Sequence, residues 1–402
     1  MAGTTTREVV ICAGARTPMA EYCGTPGHGK LKDVSALDLG AHAARHALQR
    51  AKVAPSRVEH VVMGNALQTS VDAIYGARHV GLKAGVPIEV PALTVNRLCG
   101  SGIESVAQAL RLIRLGEASV VLAGGMENMS QAPFVVRGIR DGATFGRPVN
   151  FEDVLFEALK DPYCGLFMAQ TAEKLAHKYG ITREACDDFA WRSMRAGIQA
   201  WEAGLYKDEV VPVEVKQGKK TALVERDDHV KPDSTREKLA SLRPAFGPEG
   251  LVTAGNASGI VDGAAAVVVA AGETARSEGL PVLCKIEGVA TVGVEPDIMG
   301  IGPAPAIRKV LEQTGHTLDQ VDLFEINEAF APQYLAVEKD LGLDREKVNV
   351  NGGAIGIGHP LGATGTRLIL TLALELRRRK AKLGIASACI GGGQGIAILL
   401  SV

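Results

Sequence analysis

The sequence predicts an α/β protein built as layers of sheet and helix, arranged in two related halves. Three observations lead there. Short apolar, β-rich runs such as "EVVICAG" and "ASVVLAGG" alternate with stretches whose apolar residues recur every three or four positions, as in "SALDLGAHAARHALQRA". The strand-like runs are continuously apolar, which suits a sheet covered on both faces. The same order of segments also occurs twice. "VEHVVMGN", "LTVNRLCGSG" and "ASVVLAGG" in the first half are answered by "VDLFEINEAFA", "VNVNGGAIGIGHPLGATG" and "KLGIASACIGGG" in the second. Asn65 and Asn327 lie 262 positions apart, and Gly125 and Gly392 lie 267 apart, so the offset is nearly constant. Two such halves would meet at a shared site.

Taken in order, "EVVICAG" is a first buried strand, the stretch from Ser35 a helix, and "VEHVVMGN" a second strand. "TVNRLCGSGIESVAQALRLIRLGEA" passes from strand to helix at Cys99, and "ASVVLAGG" follows as another strand. From about Met129 to Val252 the texture changes. An irregular segment, a long helical segment and a charged, proline-containing segment follow one another, too long for a plain loop. They predict an inserted subdomain able to cover a ligand. "TAGNASGIVDGAAAVVVAAG" then leads through turn residues into a central strand.

Composition sets limits. The 402 residues allow two or three domains, and 46% hydrophobic with 22% charged residues is ordinary for a globular protein. A net charge of −1 offers no basic field for nucleic acid or an anionic membrane. The lysine-bearing stretch around Lys219 is mixed with acids and reads as a solvated face. Seven scattered cysteines without CxxC suggest neither a disulfide framework nor a zinc site. The N-terminal residues lack a signal pattern, and runs such as "AAAVVVAAG" are too short to span a bilayer, so a cytoplasmic location is expected.

Four segments carry candidate chemistry. Cys99 stands at a helix N-terminus, where unpaired N–H groups and the helix dipole favour thiolate. His359 sits in a glycine-dense loop and is the candidate base for that thiol. Its glycines are spaced GxGxxxG, not the GxGxxG of a dinucleotide site. Cys389 ends a strand before three glycines. Backbone N–H groups of Cys99 and Gly391 aimed at one point would form an oxyanion hole, and Asn327, after the strand "DLFEI", would hold a water as a further donor. Each residue also has a plainer reading, as core thiol, surface histidine or turn asparagine.

Together "NRLCGSG", "GGMENMS", "TAGNASG", "NEAFA", "NVNGGAIGIGHPLGATG" and "CIGGGQG" resemble the thiolase family over essentially the whole chain. The resemblance implies a duplicated αβαβα fold with an inserted loop subdomain. Residues 1–128 with 253–275 would form the N-terminal half, 129–252 the insertion over coenzyme A, and 276–402 the C-terminal half. It also implies Cys99 as nucleophile, His359 as its base, and Cys389 as the acid and base at the α-carbon of acetyl-CoA. Ser258, Leu159, Met168, Ala329 and Phe330 would touch pantetheine, and Lys231 the nucleotide. No metal or resident cofactor is implied, since CoA is a substrate. A homodimer, paired into a tetramer through loops near "GGMENMSQAPFVVRGIRDG", is expected. Acetoacetyl-CoA-specific members commonly carry His-Met where this chain has Phe167-Met168, so the acyl pocket is expected to accept longer chains.

Two other readings compete. Decarboxylating ketoacyl synthases share the architecture but have no cysteine in the last glycine loop, and Cys389 argues against them. A catalytically silent acyl-CoA-binding relative would lack one of the four catalytic positions, and none is missing here.

Overall fold

The computed structural model describes residues 7–402. The first six residues, assigned above to the N-terminal half, lie outside the described residues. Five principal strands build the first half: β1 (Val9–Arg16), β2 (His60–Gly64), β3 (Ala92–Val95), β4 (Val120–Glu127) and β5 (Val261–Ala271). Four build the second: β6 (Cys284–Gly293), β7 (Leu323–Ile326), β8 (Leu383–Ile390) and β9 (Gln394–Ser401). The main helices are α1 (Ala36–Ala51), α2 (Ser101–Arg114), α3 (Met168–Tyr179), α4 (Arg183–Glu202), α5 (Pro303–Thr314), α6 (Ala331–Leu341) and α7 (Leu361–Arg379).

The duplication is explicit in the pairing. β1–β5 and β5–β4 are antiparallel, while β4–β2 and β2–β3 are parallel. In the second half β6–β9 and β9–β8 are antiparallel and β8–β7 parallel, and a parallel bridge from Phe324 to Val348 stands where β3 stood. The halves join edge to edge where Val10 and Ile11 face Lys285 and Cys284.

Alternating side chains sort each sheet into an outer and an inner face. On β5, Ala264, Ala266, Val268 and Ala270 join the outer core under α1, and Val267, Val269 and Ala271 join the central core. On β9, Ile396, Ile398 and Leu400 face the central core, and Ala397 and Leu399 face the outer core under α5. Helices α2 and α7 fill the middle. This completes the five layers. Helix α7 is buried on every side through its first thirteen residues, as expected of a central helix with little charge before Glu375.

Between β4 and β5 the chain leaves the sheet. The helical stretch expected there is broken at Gly180, whose left-handed φ of 62° ends α3, and Thr182 then caps α4. The insertion is anchored by a buried ion cluster. Arg16 at the end of β1 donates to both oxygens of Asp227 (2.7 and 2.9 Å) and to Glu209 (2.7 Å).

The two central helices touch through glycine. A Cβ at Gly102 would stand 2.4 Å from the backbone nitrogen of Thr366, and one at Gly365 would stand 2.3 Å from that of Ile103. This reciprocal contact brings the first turns of α2 and α7 together. A helix interior favours alanine over glycine by about 1 kcal/mol, but here the overpacking dominates. Gly102→Ala should therefore cost about 3 kcal/mol or more. Gly197→Ala in α4, where the nearest atom would be 3.9 Å away, should be neutral or mildly stabilising. Paired denaturant unfolding curves check the contrast, and equal effects at the two sites would contradict this packing.

Candidate active site

The nucleophile turn is stapled by side chains. Asn96 accepts the Leu98 N–H (2.9 Å), and Ser101 Oγ accepts the Arg97 N–H (2.8 Å) while donating to the Leu98 carbonyl (2.7 Å). Leu98 is held at φ 45°, a strained value for a leucine. The Arg97 guanidinium reaches Gln394 (2.8 Å), in the glycine turn after Cys389. Cys99 follows, and the N–H groups of Gly391 and of Cys99 itself point at its sulfur.

These donors do not produce a thiolate. Burial pushes the Cys99 thiol up to about 11, and the nearby Glu127 carboxylate adds to the effect. The helix terminus was expected to favour ionisation. The cost of burying a charge in this site is larger.

His359 is set by the backbone and by one hydroxyl. Its N–H donates to the Gly259 carbonyl (2.9 Å). Thr364 Oγ1 lies 2.6 Å from Nδ1 and donates its own proton to the Pro360 carbonyl (3.0 Å), so Nδ1 is the protonated nitrogen. Nε2 is left with its lone pair, 3.3 Å from the Asn327 amide nitrogen. Burial, and then the charge of Arg367, pull this imidazole down to about 3. The resting pair is neutral thiol and neutral imidazole.

A cavity of about 290 Å³ ends at these two residues. Its wall includes Ser258, Leu159, Phe167, Met168, Ala329 and Phe330, all expected from the sequence. The Phe167 ring lies 4.8 Å from that of Phe156 and 5.4 Å from that of Phe246, forming an aromatic side to the tunnel. Cys389 is fully buried and packs with Met299 and Ala329, just behind the wall. Burial raises its thiol strongly, and any negative charge on Cys99 would raise it further. Lys231 is not part of the wall. It lies 3.6 Å from Glu21, with its side chain about half exposed. Among the described residues no His, Cys, Asp and Glu cluster has the shape of a metal site.

Sequence comparison finds the "Thiolase, N-terminal domain" over residues 9–273 and the "Thiolase, C-terminal domain" over 280–402. The chain belongs to the thiolase family. It is 50% identical to the mitochondrial 3-ketoacyl-CoA thiolase of Homo sapiens, over 98% of both chains. It is 44% identical to the acetyl-CoA acetyltransferase of Pseudomonas aeruginosa, over 98% of this chain and 99% of the other. The crystal structure of the human mitochondrial enzyme superimposes with a TM-score of 0.95, covering 98% of this chain and 99% of that one. This protein is thus an acyltransferase of the thiolase type.

This thiolase has a positioning residue that motif reading passed over. Glu127, fully buried at the end of β4, accepts N–H bonds from Ala66 (3.1 Å), Leu67 (2.9 Å), Gly362 (2.8 Å) and the Asn65 side chain (2.9 Å). It thereby clips the first turn of α7, from the second half, to a loop of the first. Burial raises its carboxyl to about 7. In the sequence it is an acid in the otherwise apolar run "VVLAGGMEN", inside the motif "GGMENMS" but with no role attached to it. Met129, Phe246, Met299 and Leu361 also line the cavity, and read in sequence as ordinary core residues.

The direction of both shifts has a consequence. The imidazole stays unprotonated down to about pH 3, and the thiol stays protonated up to about pH 11. Alkylation of Cys99 by iodoacetamide should therefore keep rising, roughly tenfold per pH unit, as the minor thiolate form grows. Inactivation rates measured across neutral and alkaline pH check this. A plateau below about pH 9, or a step near 6.5, would instead reveal a thiolate–imidazolium pair.

Proposed function

We propose that this thiolase cleaves 3-ketoacyl-CoA with free CoA, giving acetyl-CoA and an acyl-CoA two carbons shorter, and condenses two acetyl-CoA in reverse. One observation carries the reading. The first turns of two helices from different halves bring Cys99 and His359 to one apolar cavity, with the Gly391 N–H on the sulfur.

In the cleavage direction His359 Nε2 takes the thiol proton as Cys99 Sγ attacks the 3-keto carbon. The oxyanion forms where the N–H groups of Cys99 and Gly391 converge. The C2–C3 bond breaks, and the departing acetyl-CoA enolate, facing His359 and Asn327, takes a proton from Cys389. The acyl-enzyme on Cys99 remains. CoA then gives its thiol proton to the Cys389 thiolate and attacks the acyl carbon. Cys99 leaves and recovers its proton from the His359 imidazolium, so every proton is returned. Dividing the work between two thiols separates acyl transfer from α-carbon proton transfer. Both start neutral, in keeping with a site that holds ionised groups only while the reaction needs them.

The CoA arm is assigned to the side of the cavity under the insertion, beside Ser258, Leu159, Phe167 and Met168, and no resident cofactor or metal takes part. The enzyme is assigned to the cytoplasm, as the composition suggests, and all seven cysteines are free thiols.

A homodimer is proposed through edge strand β3, whose Leu93 is exposed, and a dimer of dimers through the Phe134–Phe151 loop, where Phe145 is fully exposed. Sedimentation velocity should show no monomer at assay concentrations. A fully active monomer would overturn the assembly.

The division of labour is tested with two variants. Cys99→Ser should abolish both the exchange of labelled CoA into acetyl-CoA and the thiolysis of acetoacetyl-CoA. Because a CoA thiol, unlike the α-carbon, can also lose its proton to water, Cys389→Ser should slow that exchange only modestly but lose condensation by a factor on the order of 10³. Equal loss of both half-reactions in the second variant would refute separate roles.

A further inference from the structure

The apolar wall around the nucleophile has two parts. One, made by Ala169, Val252, Phe246 and Phe330, lies between the insertion and the turn before β5. The other is the cluster that includes Cys99 itself. There Met129, Leu361 and Ile260 face the cavity, and Leu67, Leu155 and Tyr22 pack in the same cluster without lining it. A thioester whose carbonyl sits at Cys99 Sγ needs one compartment for pantetheine and another for its acyl tail. With the CoA arm under the insertion, the tail is left with the second.

Resting on the thiolase reading, we propose that Tyr22 sets the acyl chain length, as the end stop of the compartment lined by Met129, Leu361 and Ile260. Its N–H donates to the Ile260 carbonyl (3.0 Å), which registers the tyrosine against a wall residue. The segment carrying it is clamped on both sides. Glu21 donates its N–H to Asp228 (2.6 Å) and holds His229 Nδ1 at 3.0 Å, while Lys30 reaches Asp228 at 3.2 Å. The Cys23 N–H donates to Ser130 Oγ (3.0 Å), next to Met129. Together these contacts tie both ends of the segment to the insertion and to the turn before Met129. The segment therefore acts as a fixed wall, and an acyl chain that outgrows the first layer of side chains meets the Tyr22 ring. Methionine at position 129 can shift its side chain and leaves the tyrosine as the firm limit.

The test is the ratio of kcat/KM for thiolysis of a twelve-carbon 3-ketoacyl-CoA to that of acetoacetyl-CoA. Tyr22→Ala should raise that ratio at least tenfold, the selectivity carried by one or two buried methylenes. Leu67→Ala opens the same compartment from another side and should shift the ratio the same way, so it decides the matter if the first variant does not fold. Glu21→Gln, which loosens the clamp without removing the ring, should broaden the preference less than Tyr22→Ala does. An unchanged ratio in folded Tyr22→Ala, or equal loss at both chain lengths, overturns the proposal. Failure of the unmodified enzyme to cleave either substrate would instead overturn the thiolase reading.

Discussion

Everything at the active site depends on a contact with no side chain in it. Gly102 and Gly365 put the first turns of α2 and α7 backbone to backbone, each glycine lying against the nitrogen of the residue after its counterpart. Such an approach needs hydrogen at both Cα atoms. It also needs the two helices to be covered on their other sides, which the inner faces of both sheets supply. Because α2 begins just after Cys99 and α7 just after His359, their closeness brings nucleophile and base to one point. The insertion and the glycine turn after β8 are then built around a pair already fixed by the central layer.

That central position has an electrostatic price. Cys99, His359 and Cys389 are all shifted toward their neutral forms, with burial the largest cause in each case. A surface Cys–His pair can rest ionised because water shares the charge. This one has walls of methionine, phenylalanine and leucine. Its N–H donors are consequently in place for charge that develops on the substrate oxygen, in a medium where each hydrogen bond to an anion is strengthened. The Thr364 hydroxyl fixes the imidazole tautomer with no added charge, so the base keeps its free nitrogen toward the cavity. Glu127 is raised by burial as well, to about 7, and its four N–H partners hold loop and helix in register.

The strands were legible because continuous apolar runs have few other uses, and the repeat was legible because turn glycines and asparagines recur at one offset. Cys99, His359 and Cys389 were legible as reactive residue types at or near glycines, and Asn327 as a polar residue directly after an apolar strand. Glu127, Thr364 and Tyr22 were not. Their roles lie in what they touch across long sequence separations, and a buried acid, a helical threonine and a loop tyrosine are common everywhere. Lys231 shows the same limit, since its pairing with Glu21, more than two hundred positions earlier, cannot be read from the covering segment alone. The ionisation of Cys99 also escaped sequence reasoning. A helix N-terminus is visible in sequence, whereas the depth at which it is buried is not.

A duplicated scaffold raises the question of why it holds one nucleophile and not two. Cys99 lies three residues before Gly102, and Gly362 lies three before Gly365, so the repeat offers the same position at the start of both central helices. The second is closed to any side chain. A Cβ at Gly362 would stand 2.6 Å from the Met126 carbonyl and 2.9 Å from that of Gly64, because here the end of β4 leans onto the helix. Its N–H is also spent on Glu127 at 2.8 Å, where the N–H of Cys99 faces its own sulfur. The glycine that excludes a second thiol is therefore the one that lets α7 come close enough to deliver His359. Arming both helix termini would push them apart, so this arrangement has room for one nucleophile only because its counterpart has become the hinge of the base.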